Sequence, residues 1–215
     1  MNIVNEDVRG ILQIGAGKGE EFFSYAHLVN NIICFEPVEE EFQYLYANVS
    51  RSPYRTYTLL SSYVIGNITG EVDFFIGNQN CNSSLLDINM DINSKNAHST
   101  QTKLKAMTLD DFFAQSELNI KNYNMIYMDV QGAEHLVLEG AKDTLQHIDY
   151  IFMEVSYKPL YNGTKTFEDM ISYLDSLGYE MVLHNPFFGD INNDCFQGDI
   201  LARRKNHLFW SVKES

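Results

Sequence analysis

Three acidic side chains stand where an apolar run gives way to a turn, the position at which α/β proteins collect ligands. Glu36 closes NIICFE, Asp129 follows the apolar run NMIYM, and Glu154 lies near the end of IDYIFMEV. A carboxylate placed there can accept hydrogen bonds from a ribose, take a proton from a hydroxyl, or ligate a divalent metal. A fourth apolar run ends in Gly15-Ala-Gly-Lys-Gly19, and Glu36 follows Gly19 by seventeen residues. Glycines let backbone come close to a ligand and adopt positive φ. A glycine turn after one strand and an acid after the next point to an adenosine-type cofactor, with a merely tight turn as the competing reading. Asp129 and Glu154, ending neighbouring strands, are expected to face one crevice. Glu134 opens a helix, where an acid serves either the helix N-terminus or the site.

Such residues need a frame of alternating strands and helices. Apolar runs at 10–14, 31–36, 56–65, 124–130 and 148–155 read as buried strands. Phe22, Phe23, Ala26 and Val29 recur at helical steps. Further helices are expected over 38–49, with Pro37 at a favoured first position, over 134–146, and over 166–177 with Gly178 as its terminator. Thr108 and Asp111 have the spacing of a capping box. Residues 71–76 read as an added edge strand or hairpin arm. Residues 77–105, rich in Asn, Ser and Asp, show little periodicity and read as one long loop. Segments 179–184, 199–204 and 208–212 are expected to complete the sheet edge as antiparallel strands. The fold class is therefore α/β: a single domain over 1–215, built on a doubly wound, mostly parallel Rossmann-like sheet with an antiparallel C-terminal edge.

Composition narrows the partners. The chain has 215 residues, 29 acidic against 15 basic side chains, and a net charge of −14. That balance argues against nucleic acid or an anionic membrane as the main partner, since both demand a basic face. It tolerates a cationic or neutral ligand, and a dimer is compatible with the sequence. Cys34, Cys81 and Cys195 form no disulfide framework or metal knuckle, and no secretory signal is visible, which together suit the cytoplasm. No apolar run approaches the roughly 18 residues of a membrane span. Without export, the sequons at Asn48, Asn67, Asn82 and Asn162 read as chance. The six histidines show no metal-ligand spacing, and only His98, in the long loop, merits watching. Asn185-Pro-Phe-Phe188 looks like the N-P-P-Y box of amino-methylating enzymes, but DVQG already occupies the strand end where that box belongs, so it reads as a turn.

The motifs in order carry a family resemblance. The chain resembles the FkbM family of S-adenosylmethionine-dependent O-methyltransferases, a Rossmann-like class I branch, from residue 11 to about 204. The resemblance rests on IGAGKG (14–19), FEP (35–37), NSSLLD (82–87), TLDDFF (108–113), MDVQGAEHLVLEGA (128–141), MEVSYKPLYNG (153–163) and GDILARRK (198–205). It implies that Gly15, Ala16, Gly17 and Gly19 line the methionine part of S-adenosylmethionine and that Glu36 holds its ribose. Asp129 would sit by the sulfonium and the acceptor oxygen, as catalytic base or sharing a divalent metal with Glu154. Ser83 and Ser84 would close over cofactor or acceptor, and Glu154 and Tyr161 would lie on the acceptor side. Two positions depart from the pattern. Gln13 replaces the usual acid, so its cofactor contact becomes an amide hydrogen bond, and Gly17 stands where the family often has Asn. The implied reaction is methyl transfer to a hydroxyl of a sugar or glycan, which makes a small molecule or glycan the implied partner. Competing readings are a polyketide-like acceptor, a nicotinamide-dependent oxidoreductase on the same frame, and a nonenzymatic adenosine-ligand binding protein. No Tyr-x-x-x-Lys hydride-transfer site is visible within a helix for the oxidoreductase.

Overall fold

A computed structural model describes residues 7–77, 83–91, 99–189 and 195–205. The first half holds β1 (Ile11–Ile14), α1 (Phe22–Tyr25), β2 (Ile32–Phe35), α2 (Glu39–Arg51), β3 (Thr58–Ser61), β4 (Val64–Ile65), β5 (Gly70–Gly77) and β6 (Ser99–Met107). The second half holds α3 (Leu109–Gln115), β7 (Met125–Met128), α4 (Glu134–Glu139), β8 (Tyr150–Ser156), α5 (Phe167–Ser176), β9 (Tyr179–Gly189) and β10 (Cys195–Arg204). Every residue of β1 and β2 is buried, as strands covered on both faces must be.

Seven strands form one sheet in the order β3-β2-β1-β7-β8-β10-β9. The first five are parallel, and β10 and β9 add antiparallel pairs at the C-terminal edge. From β1 the chain winds outward through β2 to β3, then returns to β7 and winds the other way. The reversal falls between β1 and β7, so a ligand crevice is expected above their carboxyl ends. Alternate side chains enter two cores. Ile11, Ile32, Cys34 and Phe152 pack with Phe22 of α1 and Leu45 of α2. Leu12, Ile33, Ile126 and Met153 pack with Phe112 of α3, Val137 of α4 and Leu174 of α5. The result is a sheet with helices on both faces, as the alternating pattern requires.

Several boundaries differ from the sequence reading, each for a physical reason. The run 56–65 is two strands, because β4 leaves the main sheet and joins a three-stranded sheet of order β4-β6-β5. The end of the expected loop 77–105 belongs to β6. Its outer part, Ser99–Lys105, pairs with β5 through polar partners such as Lys103 and Asp73, 2.8 Å apart, and so lacks an apolar signature. The helical spacing at Phe22, Ala26 and Val29 reflects burial in one core, while α1 itself is a single turn. Pro37 precedes Val38, the N-cap of α2, and so lies outside that helix. The helix expected over 134–146 stops at Gly140, where a Cβ would lie 2.1 Å from the Gly66 carbonyl oxygen.

The capping box at α3 is half formed. Thr108 Oγ1 accepts from the Asp111 backbone N–H, but Asp111 is engaged by the Thr69 hydroxyl, which itself accepts from the Thr108 N–H. Asn185-Pro-Phe-Phe188 is strand, not turn. It lies in edge strand β9, where a proline costs no interior ladder bond. Gly178, at φ +86, ends α5 as expected. His98, Asn82, Cys81 and the strand expected over 208–212 lie outside the described residues.

Candidate active site

The glycine turn and Glu36 form one hydrogen-bonded unit. Gly15 and Gly17 have φ of +79° and +51°. A Cβ on Gly15 would lie 1.9 Å from the Asp129 carbonyl oxygen, so the ends of β1 and β7 touch through backbone at the point where the winding reverses. Glu36 Oε2 accepts from the Gly17 N–H and Oε1 from the Val38 N–H, both at 2.8 Å. The carboxyl is only 5% exposed, and burial pushes it up to about 7 against the pull of those two donors. Above the turn lies a cavity of about 350 Å³, whose lining includes Gly15, Ala16, Gly17, Glu36, Ser83 and Asp129.

Asp129 begins the turn after β7. Its Oδ1 accepts from the Gln131 side-chain amide at 2.6 Å, and the Gln131 carbonyl end accepts from the Tyr161 hydroxyl at 2.7 Å. Burial raises the Asp129 carboxyl, opposed by the side-chain and backbone N–H groups of Gln131. Glu134 Oε1 accepts from the backbone N–H groups of Val130 at 3.2 Å and Gly132 at 3.3 Å. Of its two possible roles it therefore takes the structural one, fastening the turn. Burial lifts Glu134 to about 7.

The register of β7, β8 and β10 extends the acidic row. Met128 pairs with Met153, which sets Asp129 beside Glu154, and Glu154 pairs directly with Asp199 of β10. Burial, then the negative charges of Asp129, Glu134, Asp199 and Glu21, raises Glu154 to about 10. At neutral pH Glu154 is therefore protonated. The Gln197 side-chain amide donates to its Oε1. Asp199 is lifted to about 6 by burial and by Asp129 and Glu21. Among the described residues, no three His, Cys, Asp or Glu side chains converge as metal ligands, so the shared metal expected for Asp129 and Glu154 finds no support.

Not every expected residue reaches the cavity. Ser83 lines it and accepts from the Gly77 N–H at 3.2 Å. Ser84 is instead a latch: it is buried, donates to the Val130 carbonyl at 3.2 Å, and its backbone bridges to Phe75. Tyr161 is buried and meets the site through Gln131. Gln13 is not among the lining residues. Its Oε1 accepts from the Tyr25 hydroxyl, while its Nε2 is buried without a partner. Gly19 packs toward α2, where a Cβ would meet Leu45 at 2.8 Å. Sequence reasoning missed Gln131, Gln197, Glu21 and Asp199. Asp199 and Gln131 had a signal, lying within the motifs GDILARRK and MDVQGAEHLVLEGA, whereas Gln197 had none.

Comparison with known proteins agrees with this geometry. The family model described as Methyltransferase FkbM domain matches residues 13–181. The chain belongs to the FkbM methyltransferase family. It is 26% identical over 204 residues to 2-O-methyltransferase NoeI of Sinorhizobium fredii, covering 90% of this chain and 78% of that protein. Methyltransferase FkbM from Methylobacillus flagellatus KT superposes with a TM-score of 0.59 at 15% identity, over 92% of this chain and 45% of that one. Magnesium protoporphyrin IX methyltransferase from Synechocystis PCC 6803, solved with S-adenosylmethionine bound, gives 0.53 at 8% identity, over 91% of this chain and 69% of that one. At these identities the structural likeness is one of fold.

The cofactor that the FkbM family implies can be tested against the residues present. S-adenosylmethionine needs close backbone at its amino-acid end, an acceptor for ribose hydroxyls and a negative surround for its sulfonium. The side-chain-free Gly15 and Gly17, the buried Glu36 carboxyl and Asp129 in one cavity meet those needs. Among the described residues, no helix is long and apolar enough to cross a membrane.

Proposed function

We propose that this FkbM-family methyltransferase moves the methyl of S-adenosylmethionine to a hydroxyl of a sugar or glycan. The observation that carries the reading is the position of Asp129. It lines the cavity at the β1–β7 reversal and neighbours Glu154 on the next strand. The likeness to a protein described as a 2-O-methyltransferase supports a hydroxyl acceptor.

Gly15, Ala16, Gly17 and Glu36 would hold the cofactor, with Glu36 accepting from the ribose on the lone pairs its backbone donors leave free. When bound, the cofactor supplies a methyl group activated on a sulfonium. Displacement at that methyl is in-line, so the residues around it act mainly by aligning the acceptor oxygen. A sugar hydroxyl is a weak nucleophile. Asp129 would act as the general base, taking the proton of the acceptor hydroxyl as the methyl leaves the cofactor's sulfur for that oxygen. Glu154, protonated at neutral pH, donates a hydrogen bond to a neighbouring acceptor oxygen. The docked segment around Ser83 and Ser84 shields the cavity from water.

Calorimetry with S-adenosylmethionine, S-adenosylhomocysteine and NAD tests the cofactor. The first two bind and NAD does not; NAD binding alone overturns the reading. Incubation with methyl-labelled cofactor and a panel of nucleotide sugars and oligosaccharides tests the acceptor. Label on a sugar hydroxyl is expected, and label found only on non-sugar alcohols removes the sugar assignment.

A further inference from the structure

We propose that Gln131 is the positioning residue for Asp129: its side-chain amide, held in one orientation by Tyr161, keeps the carboxylate a fixed proton acceptor. The proposal rests on the reading of Asp129 as the base and adds the parts that make it one.

The geometry has direction. An amide has a donor end and an acceptor end, and only the donor end can face a carboxylate without repulsion. Tyr161 donates its hydroxyl to Gln131 Oε1 at 2.7 Å, which leaves Nε2 for Asp129 Oδ1 at 2.6 Å. Tyr161 is itself fixed, being 5% exposed and bridged through its backbone to Ile88. An amide flip would break the bond to Tyr161 and set two acceptors against each other at Asp129.

The backbone supports the same reading. Gln131 has φ +56, and among the described residues it is the one non-glycine with positive φ. Glycine adopts that conformation at lower cost, and Gly132 beside it, at φ +90, does so. A long amide at a position that favours glycine points to work only the side chain can do.

The surroundings explain why that work is needed. Glu21 at the N-cap of α1, Glu154 on β8, Asp199 on β10, Glu134 on α4 and the Tyr127 phenol on β7 all face the Asp129 carboxyl. Burial favours the protonated form of Asp129, which cannot take a proton. The side-chain and backbone N–H groups of Gln131 favour the ionised form.

The test needs no acceptor. Protein labelled with ¹³C at the aspartate carboxyl carbons is titrated by NMR, and the Asp129 signal is assigned by its loss in Asp129→Asn. In Gln131→Met, which keeps length but loses the amide, Asp129 is expected to titrate about one pH unit higher or more. Gln131→Glu should raise it further, and Tyr161→Phe by a smaller amount. Gln131→Gly separates positioning from structure. It relieves the backbone, so the protein should melt no lower than wild type while Asp129 still titrates higher. An unchanged Asp129 titration in Gln131→Met and Gln131→Gly overturns the proposal, as does a normal titration with lowered melting, which marks a purely structural residue. If the titration shifts while the sugar screen fails, the positioning role stands and the acceptor assignment falls.

Discussion

The β1–β2 and β7–β8 sides of the site hold their acids differently. On the β1–β2 side, both oxygens of Glu36 rest on backbone N–H groups, from Gly17 and Val38. On the β7–β8 side, two acids are met by a side-chain amide: Gln131 on Asp129, which lines the cavity, and Gln197 on Glu154, which is not among the lining residues. Backbone donors come with the turn and cannot be removed by substituting a side chain. Amide donors depend on residue type and can be tuned singly. A cofactor common to a whole family suits the first arrangement, and an acceptor that differs between enzymes suits the second.

Breaking the backbone side should have the largest effect. In Gly15→Ala, the new methyl falls 1.9 Å from the Asp129 carbonyl oxygen at a residue of φ +79, and the neighbour is backbone that cannot swing aside. A loss of about 3 kcal/mol or more is expected, read as a drop in melting temperature of roughly 6 °C or more. Gly17→Ala meets nothing within 4 Å, so only its φ of +51 opposes it, at about 1–2 kcal/mol. Equal melting temperatures for the two variants would show that the close β1–β7 contact is not what constrains this turn. On the other side, Asp129→Asn keeps shape and loses the proton acceptor. Methyl transfer should fall by about 100-fold or more, with S-adenosylhomocysteine affinity much less affected, and full turnover would remove Asp129 from the mechanism.

The same contrast explains what could be read from the amino-acid order. The glycine turn, Glu36, Asp129 and Glu154 were legible because strand ends and glycines are local signals, and the parallel register then places Asp129 beside Glu154 without further information. Gln13 was misleading. Its position in the turn motif suggests cofactor contact, but its side chain meets Tyr25 in a helix-covered core. Strand β6 was hidden because Ser99–Lys105 has one apolar side chain, Leu104, and so shows no hydrophobic period. Gln131 stood within the DVQGAE motif, but its role and that of Gln197 could not be read, because what they touch depends on turn geometry and on a strand inserted late in the chain between β8 and β9.

Glu36→Gln should have a smaller effect than Gly15→Ala. A carboxylate offers two acceptor oxygens to two backbone donors, whereas an amide offers one and turns an N–H toward the other donor. Leaving one of the N–H groups of Gly17 or Val38 unsatisfied costs about 1–3 kcal/mol, visible as a lower melting temperature and weaker binding of S-adenosylhomocysteine. Loss of binding with no change in melting would mean that the turn is held without this carboxylate.

Glu154→Gln should be the mildest change near pH 5, and its signature lies in the pH dependence. Unfolded, Glu154 ionises near its ordinary 4.5; folded, it keeps its proton to about 10. Between those values folding takes up a proton, so stability falls as pH rises, by up to about 1.4 kcal/mol per pH unit for this one group. Asp199, at about 6, and Glu36 and Glu134, at about 7, have completed their contributions below pH 8. Glu154 is then the main acid of this set still acting between pH 8 and pH 9. The amide introduced by Glu154→Gln carries no titrating proton and can still accept from Gln197 through its carbonyl. Melting curves should therefore show wild type losing stability from pH 8 to pH 9 and Glu154→Gln losing less, with the difference between them smallest near pH 5. Parallel curves from pH 8 to pH 9 would mean that Glu154 is ionised in the folded protein, and the site would then hold two carboxylates where the proposed mechanism has one base and one hydrogen-bond donor.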